Sequence, residues 1–559
     1  MPASQSSVDA TTHQHTVVAA RAMPVRIAMV LLSSVVLCLV IGDKLLWQAE
    51  PSLPNDTFQY YSAAKNALDG HVGYTSIVHF DEERAFGTIP APLVHFPVGY
   101  PLLLAGVVAL GLTLDQAAVA INALAAILCL ALIATAAQRL RLSLLATAAA
   151  LGGFVLNPAI ARWTTTAATE MAFTAMITAG IVCLALPGRT KSSPTIAEAL
   201  LAGLLIGLSY YVRYAGLFLL VGLGATTVVA FLRSGRPQFR QYGVATLVSG
   251  AMMAAGLIRN VLVVGTWRGG EKEAWHAPLT VAKETIRTID QLLLGNRVGV
   301  TQLAAHMFWF VIVAAIVSMA LWLGRAASGP ARRPKSPQVR DFVAVAGTIM
   351  AAYSVCMFYA GVTTVISYGS RMFVPLLPLT LILIGCGIDG VRSRLSSSAR
   401  PMQLAAVGGI GVLMCGYVLL NLPQAIRPVD NSKTDRIRAS LFDNESTGQS
   451  AARALRETLG AHRRILANDG QAIGYLSEID TVSLVSMEYG TTAWTEAELQ
   501  KTASTFDVGA FVIRRPDSEE TEDADVVPSE FVLRLANLTH PEWLVPVYVT
   551  DTLVIYRVS

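Results

Sequence analysis

Arg26-Ile27-Ala28-Met29-Val30-Leu31-Leu32-Ser33-Ser34-Val35-Val36-Leu37-Cys38-Leu39-Val40-Ile41-Gly42-Asp43-Lys44-Leu45-Leu46-Trp47 decides the fold. No residue between Arg26 and Asp43 is charged. A run of about 20 apolar residues is what one helix needs to cross the bilayer core. The run is too long for a signal-peptide core. It ends in Gly-Asp-Lys-Leu-Leu-Trp, with no small-residue cleavage site nearby. An uncleaved first membrane helix is expected. The preceding stretch, 1–25, is rich in Ser, Thr, Ala and His and reads as a disordered cytoplasmic tail.

The same pattern recurs along the chain. Spans are expected near 26–47, 115–137, 142–159, 170–186, 196–212, 215–232, 242–265, 304–324, 341–361, 372–390 and 403–422. A shorter apolar run, Val98 to Leu112, is expected to lie along the interface or re-enter. Of 559 residues, 53% are hydrophobic and 14% charged, whereas soluble chains carry about 25% charged residues. From Pro428 onward the composition turns ordinary and polar. The fold class expected is therefore mainly α: a polytopic membrane helical bundle of about eleven spans. It occupies 26–425, and 428–559 forms a small α/β extramembrane domain.

Lysine and arginine orient the spans, because short cytoplasmic loops are enriched in both. With a cytoplasmic N-terminus, the inner loops hold Arg139 and Arg141; Arg189 and Lys191; Arg233, Arg236 and Arg240; Arg325, Arg332, Arg333, Lys335 and Arg340; and Arg392, Arg394 and Arg400. The short outer loops hold one each: Arg162, Arg213 and Arg371. This places the long loops 48–114 and 266–303, and the C-terminal domain, on the outer side of a cell (inner) membrane.

Several function classes drop away. The spans carry almost no ionisable residues, with Glu198 and Arg259 the main exceptions near span ends. A conduction path usually needs such groups facing the bundle interior. There is no basic, aromatic-interleaved patch for nucleic acid. The six cysteines (Cys38, Cys129, Cys183, Cys356, Cys386, Cys415) all fall in apolar segments, without disulfide or zinc spacing.

Polar groups gather at the outer ends instead. Asp56, in Pro54-Asn55-Asp56-Thr57, stands at or just before a helix start. It reads as a helix cap, as a general base or as a metal ligand, and these roles are compatible. Tyr60 follows on the same helix. His95-Phe96-Pro97-Val98-Gly99-Tyr100-Pro101 bends the chain before the short apolar run. Lone His95 is as readily a structural hydrogen-bonder as a ligand. Glu170 begins a helix, where the macrodipole favours a carboxylate. Arg213 lies in a tight outer turn, and Arg371 follows Ser367-Tyr368-Gly369-Ser370 at the start of another span. Each arginine can snorkel to lipid phosphate or clamp a lipid-linked one.

In this order the elements resemble the GT-C superfamily of integral-membrane glycosyltransferases. The resemblance is strongest to the branch with protein O-mannosyltransferases, aminoarabinose transferases and RgtA-like enzymes. Matching residues are Asp56, Tyr60, Ala64 and Gly70; Pro97 to Leu103; Asn157-Pro158 with Thr169-Glu170; Arg213 to Leu217; and Tyr368 to Pro378. The resemblance covers 26–425.

It implies transfer of a hexose or pentose from a polyprenyl-phosphate-sugar to an acceptor hydroxyl, at the outer face of the bilayer. The acceptor would be a glycan, lipid or protein. Asp56 and Glu170 would be catalytic. Arg213, Arg371 and Tyr368 would bind the donor phosphate, and Tyr60, His95 and Tyr100 would line the substrate loop. The resemblance fixes no cofactor, and a divalent metal stays open. Single displacement with inversion is expected. The alternatives are a lipid-linked glycan transporter or flippase, and an inactive assembly partner.

The C-terminal part alternates helical and strand periods. Helices are expected at Ala451–Leu459 and Glu496–Ser504. Strands are expected at Arg464–Asp469, Thr481–Val485 and Val508–Ile513, with a closing hairpin around Thr550-Asp551-Thr552. Asn468-Asp469-Gly470 reads as a turn.

Overall fold

The computed structural model describes residues 24–43, 50–79, 87–187, 194–234, 236–267, 275–294, 337–363, 369–395, 408–409, 416–417, 421–426, 432–442, 450–460, 464–484, 495–515 and 530–559. The chain opens with α1 (Pro24–Asp43), a helix long and apolar enough to span a membrane. The following loop carries α2 (Asn55–Leu68), β1 (Tyr74–Thr75), β2 (Ile77–His79), β3 (Ala91–Pro92) and α3 (Gly99–Val108). Then come α4 (Leu114–Arg139), α5 (Leu144–Val155), α6 (Pro158–Thr164), α7 (Glu170–Ala185), α8 (Ile196–Val212), α9 (Gly216–Ser234) and α10 (Arg236–Val264). They are followed by α11 (Pro278–Leu294), α12 (Pro337–Thr363) and α13 (Leu377–Leu395).

Five described helices are long and apolar enough to cross a membrane singly: α1, α4, most of α10, most of α12, and Val374–Ser393. The continuous span expected at 142–159 is instead two helices, α5 and α6, bent by 51°. Pro158 has no N–H to continue the ladder. The Asn157 side chain caps the new helix, accepting from Ala159 N at 2.9 Å. Helices α7 and α8 are apolar but only 16 and 17 residues long. Helix α3, 10 residues, is about 15 Å long, half of a bilayer core. The expected spans at 304–324 and 403–422 lie wholly or mostly outside the described residues.

The C-terminal part comprises α14 (Ser432–Phe442), α15 (Ala451–Leu459), β4 (Arg464–Ala467), α16 (Gly470–Ser477), β5 (Asp480–Ser483), α17 (Glu496–Thr505), β6 (Val508–Arg514), α18 (Glu530–Ala536), β7 (Leu544–Val549) and β8 (Leu553–Val558). Its sheet has the order β2-β5-β4-β6-β8-β7. Strands β2, β5, β4 and β6 run parallel, and the β7–β8 hairpin is antiparallel. Strands and hairpin fall where the sequence puts them. Where only a turn is expected, Asn468-Asp469 leads directly into α16.

The edge strand β2 comes from the first long loop, with Ile77 opposite Thr481 and His79 opposite Ser483. Neighbouring strands sit about 4.8 Å apart, so this loop and the C-terminal part share one side of any membrane. Helix α16 also packs its Tyr475 ring against Phe58 and Tyr61 of α2, at 5.6 and 5.5 Å between centroids. Cysteines placed singly at exposed Asp69 and Asp551, in a cysteine-free background, are therefore expected to react alike with an impermeant reagent. Labelling of one and protection of the other would contradict the shared sheet.

Asp469 holds the strand ends together. Its backbone is left-handed, with φ of 50°. Its carboxylate pairs with Lys433 Nζ at 2.8 Å and Arg514 Nε at 2.7 Å. Burial opposes its charge, but Lys433 and Arg514 overcome that and hold the carboxyl below its ordinary pKa. A depressed folded value gives stability that is complete above the unfolded pKa, about 3.9. That stability is lost as pH falls through the folded value. Thermal unfolding of Asp469→Asn should lack this share of the acid sensitivity below about pH 4. Identical acid slopes for variant and wild type would remove Asp469 from the account.

Candidate active site

Three features bring distant segments together. Ser52 forms a parallel bridge with Thr166, through Ser52 N to Thr165 O at 3.0 Å and Ala167 N to Ser52 O at 2.9 Å. Thr57 Oγ1 donates to Ala167 O at 2.6 Å. Asn122 Nδ2, from α4, donates to Thr166 O at 2.7 Å. These bonds press the start of α2 against the segment that leads into α7.

Asp56 lies inside the first turn of α2, not at its cap. The cap position is Pro54, and no side chain bonds there. The cap reading of Asp56 is therefore replaced by an ion pair. Arg371 Nη1 donates to Asp56 Oδ2 at 2.8 Å. Arg371 sits in a short 3-10 turn, Ser370–Met372.

Glu170 is the first residue of α7 and likewise makes no cap bond. Its partner is Arg213 Nη1, which touches Glu170 Oε1. Arg213 Nη1 also reaches Thr169 Oγ1 at 3.3 Å, and its Nη2 lies 3.5 Å from Met372 Sδ. The turn that presents Arg213 closes through Gly216 N to Arg213 O at 2.8 Å. A Cβ on Gly216 would fall 2.6 Å from Tyr210 N, so the tightness of this turn requires glycine.

The two pairs differ in burial. Side-chain exposure is 2% for Glu170 and 15% for Arg213, against 31% for Asp56 and 29% for Arg371. Screened pairs contribute about 0.2–1 kcal/mol, so Asp56–Arg371 is exchangeable. Glu170–Arg213 is locked, because water cannot replace either partner. Glu170 Oε2 is buried without a hydrogen-bond partner among the described residues.

Tyr60 lies one turn beyond Asp56 on α2, within the field of both pairs. Its pKa is raised by burial and then by the Asp56 and Glu170 carboxylates, against the opposing pull of Arg213 and Arg371. All four charges thus act on one phenol. The Tyr60 ring stands edge-on to Phe96 and Tyr100, with centroids 5.2 and 5.3 Å away. His95 stands edge-on to Phe96 at 4.6 Å, a supporting layer behind Tyr60. Gly99 lets the start of α3 reach the end of α8. A Cβ there would lie 2.5 Å from Tyr211 O.

Of the residues singled out in the sequence, Asp56, Tyr60, Glu170, Arg213 and Arg371 converge. Tyr100 and His95 support them from behind, and Tyr368 lies outside the described residues. Arg162 is an addition. It reads in the sequence only as an orienting charge, yet it is close enough to Glu170 and Arg371 to sense both. Its guanidinium lies over the Trp163 ring at 5.3 Å. Among the described residues no group of three or more His, Cys, Asp or Glu is placed to hold a metal. Asp56 and Glu170 each face a guanidinium instead.

No family model matches the sequence, and no curated protein matches it. Solved structures do match in three dimensions. The oligosaccharyltransferase AglB from Archaeoglobus fulgidus, in complex with an inhibitory peptide and a dolichol-phosphate, superposes with a TM-score of 0.53. It shares 12% identity over 93% of this chain and 72% of its own. ArnT from Cupriavidus metallidurans in the apo state gives 0.53 and 12% identity, over 96% of this chain and 98% of its own. The fold is that of the GT-C glycosyltransferases. The arabinofuranosyltransferase AftD from Mycobacteria gives 0.50 and 15% identity, over 95% of this chain and 40% of its own. In this GT-C frame the two ion pairs lie where the first long loop meets the bundle.

Proposed function

We propose that this protein is a membrane glycosyltransferase. It moves a sugar from a polyprenyl-phosphate-linked donor to an acceptor hydroxyl at the outer membrane face. The observation that carries this reading is the two ion pairs side by side: Arg371 on Asp56 at 2.8 Å, Arg213 on Glu170, and Arg213 Nη2 3.5 Å from Sδ of Met372, the residue after Arg371. Two carboxylates and two guanidiniums, brought from four segments to one end of a GT-C bundle, suit a reaction that removes a proton and releases a phosphate.

In this reading Asp56 Oδ takes the acceptor hydroxyl proton as the oxygen attacks the anomeric carbon. The bond from that carbon to the phosphate oxygen breaks, and its electron pair leaves with the phosphate. Arg371, close to one-third exposed and singly bonded, receives the developing charge. Arg213 is committed to Glu170, so it holds that carboxylate in place. One base and one direct departure give inversion. No step is routed through a metal. The lipid-phosphate donor is supported by the dolichol-phosphate bound to AglB.

The test is transfer by the purified protein in liposomes, across a panel of polyprenyl-phosphate sugars, alongside Asp56→Ala. Transfer by the wild type and its loss in the variant are expected. Full transfer by the variant would remove Asp56 from the chemistry. No transfer by wild type from any donor, with lipid-linked glycan crossing the bilayer, would favour a flippase.

A further inference from the structure

We propose that the Asp56–Arg371 ion pair is a latch opened by a lipid-borne phosphate, which takes Arg371 and releases Asp56 to act as the base. This rests on the sugar-transfer reading above. It adds that the base becomes available only when the donor has arrived.

Three observations point this way. First, the bond is single: one Nη1 on one Oδ2 at 2.8 Å, with no fork. A guanidinium offers five donors, and it binds phosphate or carboxylate most strongly through two parallel bonds. A phosphate that gains such a fork therefore outcompetes the carboxylate. Second, both partners are close to one-third exposed, so the exchange buries no orphaned charge. Third, the neighbouring pair cannot make the same exchange. Arg213 is already held by Glu170, Thr169 and Met372, and Glu170 is 2% exposed.

Electrostatics set the direction. A phosphate on Arg371 stands beside Asp56, and like charges this close repel. The carboxylate then loses a cation and gains an anion as neighbours. Both changes favour a carboxylate that keeps a proton. The balance of the step is unchanged: acceptor proton to Asp56, acceptor oxygen to the anomeric carbon, electron pair to the phosphate on Arg371.

The experiment measures equilibrium binding, not turnover. Undecaprenyl phosphate without sugar is titrated into the full-length protein in nanodiscs, for wild type, Asp56→Asn, Arg371→Ala and the double variant. Asp56→Asn should bind about tenfold more tightly, because the competing carboxylate is gone. Arg371→Ala should bind at least about tenfold more weakly. The double variant should match Arg371→Ala, since the latch needs both partners.

Binding that is unchanged or weaker in Asp56→Asn overturns the latch. So does equal tightening in the Arg371→Ala background, which would mark a general charge effect. Either result leaves the sugar-transfer reading standing if Asp56→Asn has lost transfer. Inorganic phosphate, titrated in parallel, separates the sources. The same gain in Asp56→Asn assigns the latch to the phosphate group alone. A gain confined to undecaprenyl phosphate assigns it to the lipid-anchored form. Asp56→Ser serves as a second variant if the asparagine protein does not fold.

Discussion

Asp56→Asn is expected to lower sugar transfer by about 10²–10⁴-fold, the usual contribution of a general base. Asparagine keeps the shape and a hydrogen-bond acceptor for Arg371. It removes the negative charge and the ability to take a proton. The protein should remain folded, because the pair being altered is near one-third exposed and so contributes at most about 1 kcal/mol. Loss of rate without loss of thermal stability is thus the signature. The comparison uses single-turnover transfer at saturating donor, so that tighter phosphate binding does not hide the chemical defect. A fall of less than about tenfold would show that Asp56 is not the base.

The second large effect is structural. Arg213→Ala should destabilise the protein by about 3–5 kcal/mol. Glu170 is 2% exposed, and its Oε2 already has no hydrogen-bond partner among the described residues. Removing Arg213 would leave the whole carboxylate buried and unpaired, and taking such a charge out of water is costly. Replacing both partners by methionine should recover much of the loss, since an apolar pair needs no solvation. It should not recover transfer. Chemical unfolding of the three proteins in one detergent measures the difference. A loss under about 1 kcal/mol for Arg213→Ala would mean that water reaches the pair.

The two pairs therefore separate by burial. Their residue types are the same, one carboxylate and one arginine each, and sequence alone ranks them equally. Only exposure tells which is exchangeable and which is a lock. The same limit affects Arg162. As a loop arginine it carries an orienting signal, but nothing in its neighbours reveals that Glu170 and Arg371 are near enough to act on it. The bend at Asn157-Pro158 was within reach, because Pro at the first helical position after Asn is a helix-start pattern. Apolar composition on both sides concealed it within one expected span.

The sequence by itself determined the membrane body. Long apolar runs have one stable solution in a bilayer, a helix that satisfies its own backbone, and this follows from local composition. It also determined the strands of the C-terminal part, because period-two apolar runs bounded by turns are local as well. Tertiary structure alone decided the partners. Asp56 and Arg371 are 315 positions apart, and any loop carboxylate is chemically able to pair with any loop arginine. The Ser52–Thr166 bridge and the Tyr475 contacts with α2 select among those pairings by packing. Strand β2 shows the same dependence. Three residues, Ile77–His79, are too short to announce a sheet, and they become its edge only because β5 is there to hydrogen-bond them.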